Sequence, residues 1–442
     1  MHLRRVRIAV VVAAAVVGGG WWNVRRLAAT ERLASAEAVA AATAELEVRT
    51  ADIGFFEARA ARDPESASDR TRLAALYLQR ARETSDDQDY VRAEETARAS
   101  LALRTQWNHA ASVVLASALL AQHRFTEARD VARALVAQSP DVDAHRALLG
   151  ETSLELGDYA AARAAFDSIS GPGRRSLGIA PRLARWAEIS GDTAGARAIM
   201  RDAVDAADER DDLPREQAAW FHLRLADLYL RQGRERGAER ELREGLAINP
   251  ADHRLLAARA RLAVVRHDWR EAILYGDSAI AIALDPATLG IVSDAHAALG
   301  DTAKAAEYVA AMEVAAGQEP GAYHRAWSLF LLDHARRVSE VLAAAQMELA
   351  GRRDIYGYDL IAWALYKSGR AAEAREPMRL ALAQGTQDAM LYYHAGMIAL
   401  ASGDPNAARN HLERALAIAP SFDHAAPAIA RAALDSLRRT TD

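Results

Sequence analysis

The chain contains no cysteine. That excludes disulfides, thiol nucleophiles, zinc–cysteine sites, iron–sulfur clusters and a membrane anchor made by acylating a cysteine. Lysine is almost missing as well, found only at Lys304 and Lys367, so nearly all positive charge is arginine. Aromatic residues reach only 6%, and the net charge is −5 over 442 residues. Nothing there suggests the strong basic excess of a nucleic-acid surface. Catalytic signatures are absent too: no H-E-x-x-H, G-x-S-x-G, P-loop or EF-hand loop occurs. Gly18-Gly19-Gly20 lies in an apolar segment, not between a strand and a helix, and no strand is expected that would hold a dinucleotide. No catalytic residue, cofactor site or metal site is therefore predicted, and the chain is not read as an enzyme.

What is abundant is alanine, within a hydrophobic fraction of 51%. Leucine, arginine and glutamate accompany it, a composition suited to helices packed closely through small side chains. The N-terminus differs in kind. Arg4, Arg5 and Arg7 precede an uninterrupted apolar run from Ile8 to Val17, followed by the glycines, Trp21-Trp22, and Arg25-Arg26. A basic stretch before an apolar run of this length reads as an export signal. Residues 8–24 fall slightly short of a full membrane span unless the flanking arginines snorkel. The tryptophan pair sits where an interfacial belt would lie. Residues 1–26 are expected to be an uncleaved signal anchor, with a cleaved signal peptide as the alternative. The arginines orient the body of the chain to the exported, periplasmic side.

The rest of the chain repeats itself. A small residue recurs at Ala93, Ala128, Ala162, Ala196, Ala238, Ala272, Ala305, Ser339, Ala374 and Ala408, at intervals of 33 to 35 residues with one of 42. A turn residue keeps step with it at His123, Gly157, Gly191, Gly233, His267, Gly300, His334, Gly369 and Gly403. Such a period accommodates two helices and two tight turns, the αα-hairpin. Glycine closes the first helix in the left-handed conformation. The Asp that often follows, as at Asp158, Asp192, Asp301 and Asp404, caps the second helix. The small residue lies where the two helices cross. The long interval holds an insert, Asp208–Gln217, and Pro377 is expected to kink its helix or delay its start.

The segment Asp388–Pro420, with Gly396, Gly403, Ala408, Leu412, Ala415-Leu416 and Pro420, resembles the tetratricopeptide repeat. With its N-terminal segment, the chain is similar to tetratricopeptide-repeat proteins of the bacterial cell envelope. The resemblance covers roughly residues 50–422 and implies an all-α fold, a right-handed superhelical solenoid of αα-hairpins. Residues 27–64 are read as a linking helix and a degenerate half repeat, 65–422 as an array of about ten repeats, and 423–442 as a capping helix, beginning near His424.

The resemblance also implies a concave face lined by the first helix of each repeat. Carried over position by position, that face takes Arg182, Arg185, Arg224, Asp227, Arg231, Arg254 and Arg261 from the middle repeats. The later ones contribute His324, Arg325, Ser328, Tyr356, Asp359, Trp363, Tyr366, Tyr393, His394 and Met397. Arginines that grade into aromatics suit an acidic and partly apolar protein or peptide partner. The competing reading packs the aromatics between repeats and leaves the arginines solvated. The function expected is a non-enzymatic protein-binding scaffold, membrane-tethered, that assembles or stabilises an envelope protein complex. The alternatives are a soluble periplasmic peptide-binding co-chaperone or secretion adaptor and, less favoured, an enzyme with its site on the concave face.

Overall fold

The computed structural model describes residues 34–317 and 325–439, which hold 22 α-helices and a short 3₁₀ turn at Gly171–Arg175. The apolar segment at residues 8–24 lies outside the described residues. Among those described, no helix is long and apolar enough to cross a membrane.

The first helix, α1 (Ala34–Arg62), runs unbroken through Thr50, with no turn between the stretches read as a linker and a half repeat. Ten hairpins follow. They are α2 (Ala67–Thr84) with α3 (Asp87–Leu103), α4 (His109–Ala121) with α5 (Phe125–Gln138), α6 (Asp143–Glu155) with α7 (Tyr159–Asp167), α8 (Ala180–Ile189) with α9 (Thr193–Asp208), and α10 (Arg215–Arg231) with α11 (Glu235–Ile248). Next come α12 (His253–Val265) with α13 (Trp269–Ile280), α14 (Pro286–Ala298) with α15 (Thr302–Gly317), α16 (Arg325–Asp333) with α17 (Val338–Gly351), α18 (Ile355–Lys367) with α19 (Ala371–Ala381), and α20 (Ala389–Ala401) with α21 (Pro405–Ile418). A last helix, α22 (Ala426–Arg439), starts two residues after His424. The long interval resolves into a loop between Asp208 and Arg215. Helix α19 starts six residues before Pro377 and continues through it, so the proline does not delay its start.

The physical basis of the repeat is visible at the turns and crossings. Gly157, Gly191, Gly233, Gly300, Gly369 and Gly403 have φ between +63° and +83°, and His123 and His267 adopt the same left-handed conformation at +58° and +57°. Asp158, Asp268 and Asp404 accept backbone N–H bonds from the first turn of the helix they precede. The crossing alanines Ala93, Ala128, Ala162, Ala196, Ala238, Ala272, Ala374 and Ala408 have no exposed surface. A larger side chain at such a point forces the helices apart.

One repeat departs from the expected register. His334 does not close its helix; Ala335 and Arg337 hold the positive φ, at 53° and 49°. The two-residue shift leaves Ser339 exposed and puts Val341, fully buried, at the crossing.

The chain divides into two compact units. Among the described residues, an N-terminal unit comprises residues 36–186 and 198–218, and a C-terminal unit comprises 187–197 and the described part of 219–442. The first has a core around Leu73, Tyr77, Leu115 and Leu119. In the second, Leu242, Leu255 and Leu262 pack against Tyr275.

Candidate functional site

The candidate groove residues fall in both units. In the N-terminal unit, Arg182 donates through Nε to Glu151 Oε2 at 2.6 Å, and Arg185 is half-buried beside it on α8. The others belong to the C-terminal unit, except His324, which lies outside the described residues.

Within the C-terminal unit the arginines are matched by carboxylates of the same chain. Asp227 sits between Arg224, 3.4 Å away, and Arg261, 2.7 Å away. Arg231 lies 3.3 Å from Glu188 and donates to the Tyr356 hydroxyl at 3.1 Å. Arg254 makes a 2.6 Å bond to Asp252, whose carboxylate also caps α12. Burial alone would raise the Asp252 carboxyl, but Arg254 and the cap bonds outweigh it and hold it low. Fork-shaped guanidinium groups already satisfied this way are not a row of open carboxylate receptors. The structure supplies their counterions from within.

The aromatic stretch is a packed cluster. Trp363 is 2% exposed; it stacks on His394 with ring centres 4.0 Å apart and on Tyr366 at 4.7 Å, and its indole N–H donates to Asp333 at 2.8 Å. Lys367 lies over the same indole at 4.8 Å. Behind it, Asp359 is fully buried, accepting from Arg325 at 2.6 Å and lying 2.7 Å from His394 Nδ1. Burial disfavours that carboxylate, yet His394 and Arg325 prevail and keep its pKa below the ordinary range. Arg325 lies over Tyr356 at 4.8 Å. Tyr393 is buried, which, reinforced by Tyr366, Asp333 and Asp423, pushes its phenol up. Ser328 is buried, and Met397 is half-buried. The spacing thus brings Tyr356, Asp359, Trp363, Tyr366, Tyr393 and His394 together, but as an interior, with little of their surface open to a partner.

Sequence reasoning missed what lies across this face. The segment Ala419–Ala425, between α21 and α22, returns over helices that are far away in sequence. A Cβ on Gly233 would meet the Ala419 Cα at 3.0 Å, and Ser421 donates to Glu235 at 3.1 Å across 186 residues. Phe422 packs on Tyr393 with ring centres 5.9 Å apart, and His424 meets Trp269 edge-on at 6.1 Å. Asp423 accepts the Ala425 and Ala426 amides at 2.8 and 2.9 Å. Burial raises the Asp423 carboxyl, but His424 and these amides overcome it and bring it down to about 2. His424 is raised, chiefly by its bond to Asp423, with Asp294 and Asp333 adding to the effect. A second closure joins Thr386, which donates to the Ile189 carbonyl, and Gly191, whose Cβ would overlap the Gly385 carbonyl oxygen at 2.5 Å. The only trace of the strap in the sequence was a scarce aromatic, Phe422, followed by Asp423 and His424 just after the helix-ending Pro420.

Among the described residues no group of three or more His, Asp or Glu is arranged to hold a metal ion. His123 and His267 pack edge-on against Phe125 and Trp269, and His334 binds Asp294 at 2.9 Å.

Comparison with known proteins agrees with this architecture. Residues 119–176 and 189–262 match one tetratricopeptide repeat family, and residues 390–422 match another. Those three stretches carry tetratricopeptide repeats. No curated protein matches it. Similar solved structures include the APC/C hetero-tetramer Cut9–Hcn1, with 13% identity, 88% of this chain and 93% of the other covered, and a TM-score of 0.34. Yeast Tom70 is similar at 12% identity, with 92% and 97% covered and a TM-score of 0.38. Proteins of this repeat type are typically non-enzymatic and bind protein or peptide partners.

Proposed function

We propose that the protein is an exported, membrane-tethered scaffold that holds a protein complex together at the cell envelope. The observation that carries the scaffold role is the succession of ten αα-hairpins, with no other fold among the described residues. An array of this kind offers extended surface rather than a reaction centre. The tether rests on the basic, apolar and aromatic order of residues 4–26. An envelope location accounts for an export signal on a protein-binding array.

The cysteine-free chain makes the test simple. A single cysteine replacing the exposed Met347 is labelled in intact cells with a membrane-impermeant maleimide, and membranes are fractionated in parallel. Labelling from outside the inner membrane, with the chain in the detergent-soluble membrane fraction, supports the tether; labelling only after lysis refutes export. Cross-linking from the same membranes, read by mass spectrometry, tests the scaffold role, and recovery of the chain cross-linked only to itself would refute it. A mature N-terminus beyond residue 26 would favour the soluble adaptor instead.

A further inference from the structure

We propose that the outward face of α1 is a dimerisation surface, on which α1 of a second copy of this chain packs antiparallel about a two-fold axis at Ala51. The other side of α1 is fixed within the N-terminal unit. Ile53 is buried in its core, Arg49 donates to Glu83 at 3.1 Å, and Arg59 donates to Asp69 at 3.1 Å. The outward side is apolar where a solvated helix face would be charged. Val48 is 62% exposed and Phe55 57%, and Ala40, Ala44, Ala51 and Ala58 are exposed beside them. Val48 and Phe55 are seven residues apart, as are Ala44, Ala51 and Ala58 in turn, a spacing that keeps one seam turned toward another helix.

Gly54 leads to a second molecule by a separate route. Glycine weakens a helix interior, so its presence there needs a reason. At Gly150, Gly245, Gly290 and Gly396 the reason is a crowding neighbour: a Cβ would meet Phe166, Leu255, Phe330 and Leu412 at 2.6–3.1 Å. Gly54 also lies well inside its helix, yet a Cβ there would meet nothing of this chain within 4 Å. The neighbour that uses the space belongs to another chain.

The face matches its own reverse, which selects a second copy as that chain. With two α1 helices antiparallel about Ala51, Val48 of each copy falls beside Phe55 of the other, and Ala44 faces Ala58. The stem of Glu47 crosses over Gly54. Arg62 comes within about one helical turn of Glu37 of the other copy, and both are exposed. Parallel pairing would set Glu37 against Glu37 and Arg62 against Arg62. Small residues along the seam let the two helices approach closely. Such a pair forms with or without the membrane tether.

The test uses the full chain in detergent. Sedimentation equilibrium of the wild type should give the mass of a dimer. Ala51→Glu sets two like charges at the axis and should weaken association about tenfold or more. Gly54→Leu should weaken it as well without lowering the melting temperature of the dilute monomer, since its side chain enters open space and leucine favours the helix. A wild type still monomeric at on the order of 100 μM overturns the proposal and leaves the face to another protein or to the chain's own N-terminal residues. Association unchanged in both variants overturns it too. Because the chain lacks cysteine, contact and orientation are read independently of these variants by oxidising differently tagged chains with one cysteine each. Ala44→Cys should cross-link to Ala58→Cys, and neither should cross-link to itself, because like positions lie roughly 21 Å apart along the pair. No cross-link in the mixture, or Ala44→Cys joined to itself, overturns the antiparallel dimer.

Discussion

Asp359 is the residue at which the C-terminal unit is most exposed to a single change. It has no accessible surface and serves two partners, Arg325 at 2.6 Å and His394 at 2.7 Å. Asp359→Ala removes the acceptor for both and leaves His394, 1% exposed, facing a void. Breaking a buried pair on one side costs about 3–5 kcal/mol. Arg325 is 37% exposed at its side chain and keeps its contact with Tyr356, so the lower end, about 3 kcal/mol, applies. Asp359→Asn keeps the shape. Its oxygen still accepts from Arg325, and its amide donates to His394 once the imidazole presents Nδ1 as an acceptor, so the loss is nearer about 1 kcal/mol.

In a repeat array each hairpin leans on its neighbours, and the loss should be local before it is global. Hydrogen exchange in α16, α18 and α20 is the direct assay. About 3 kcal/mol corresponds to roughly a hundredfold increase in the opening equilibrium there, with α4 as an unaffected reference. Because the folded Asp359 pKa is depressed, its stabilisation is present above the ordinary carboxyl range and is lost as pH falls below about 4. Asp359→Asn should abolish that part of the acid sensitivity. Arg325→Met/Asp359→Leu/His394→Leu, which removes the whole group, should recover most of the stability lost in Asp359→Ala. The reasoning fails if Asp359→Ala and Asp359→Asn exchange alike, or if the triple variant is the least stable of the three.

The strap should be pH-sensitive at both ends of its range. Asp423, lowered to about 2, contributes stability above the ordinary carboxyl value that fades as pH falls toward 2; His424, raised, contributes fully below about 6.5 and ceases to as pH rises through its folded value. A titration of the His424 ring protons by NMR with a midpoint below 6.5 would contradict this. Gly396→Ala tests the crossing of α20 and α21: its Cβ would lie 2.6 Å from Leu412 Cγ, and a cost of about 1–3 kcal/mol is expected in urea unfolding. Gly300→Ala separates backbone from packing, since no atom lies within 4 Å of the new methyl but φ is +83°. It should cost about 1–2 kcal/mol in the same assay, and no loss would mean that the turn relaxes freely.

The hairpin order was legible because each turn needs a residue tolerant of positive φ and each crossing needs a small one. Those demands leave a period that survives divergence elsewhere. Legibility failed where a local rule was met by a different residue. Ala335 and Arg337 took the left-handed positions expected of His334, and Val341 then displaced Ser339 from the crossing, because two extra turn residues moved the whole helix along. The candidate groove residues among those described fall on the first helices of their hairpins, where the register puts them. Register says which way a side chain points, but not what faces it. The carboxylates that meet the arginines, Glu151, Glu188 and Asp227 among them, and the strap over Tyr393 come from positions up to 186 residues away, which no periodic pattern records.

This internal pairing constrains recognition in a way that composition alone would misjudge. An acidic peptide approaching Arg224 or Arg261 must replace Asp227, which is already 16% exposed and held between both guanidinium groups. It would exchange one charge-assisted contact for another while leaving Asp227 stranded beside it, so the net gain is small and the desolvation cost is added. Asp333 is matched from within as well, accepting from the Trp363 indole at 2.8 Å with the Lys367 ammonium 3.9 Å away. The arginine-rich sequence therefore belongs to a protein whose charges in this unit are matched largely from within. The arginines and the carboxylates that meet them serve the scaffold.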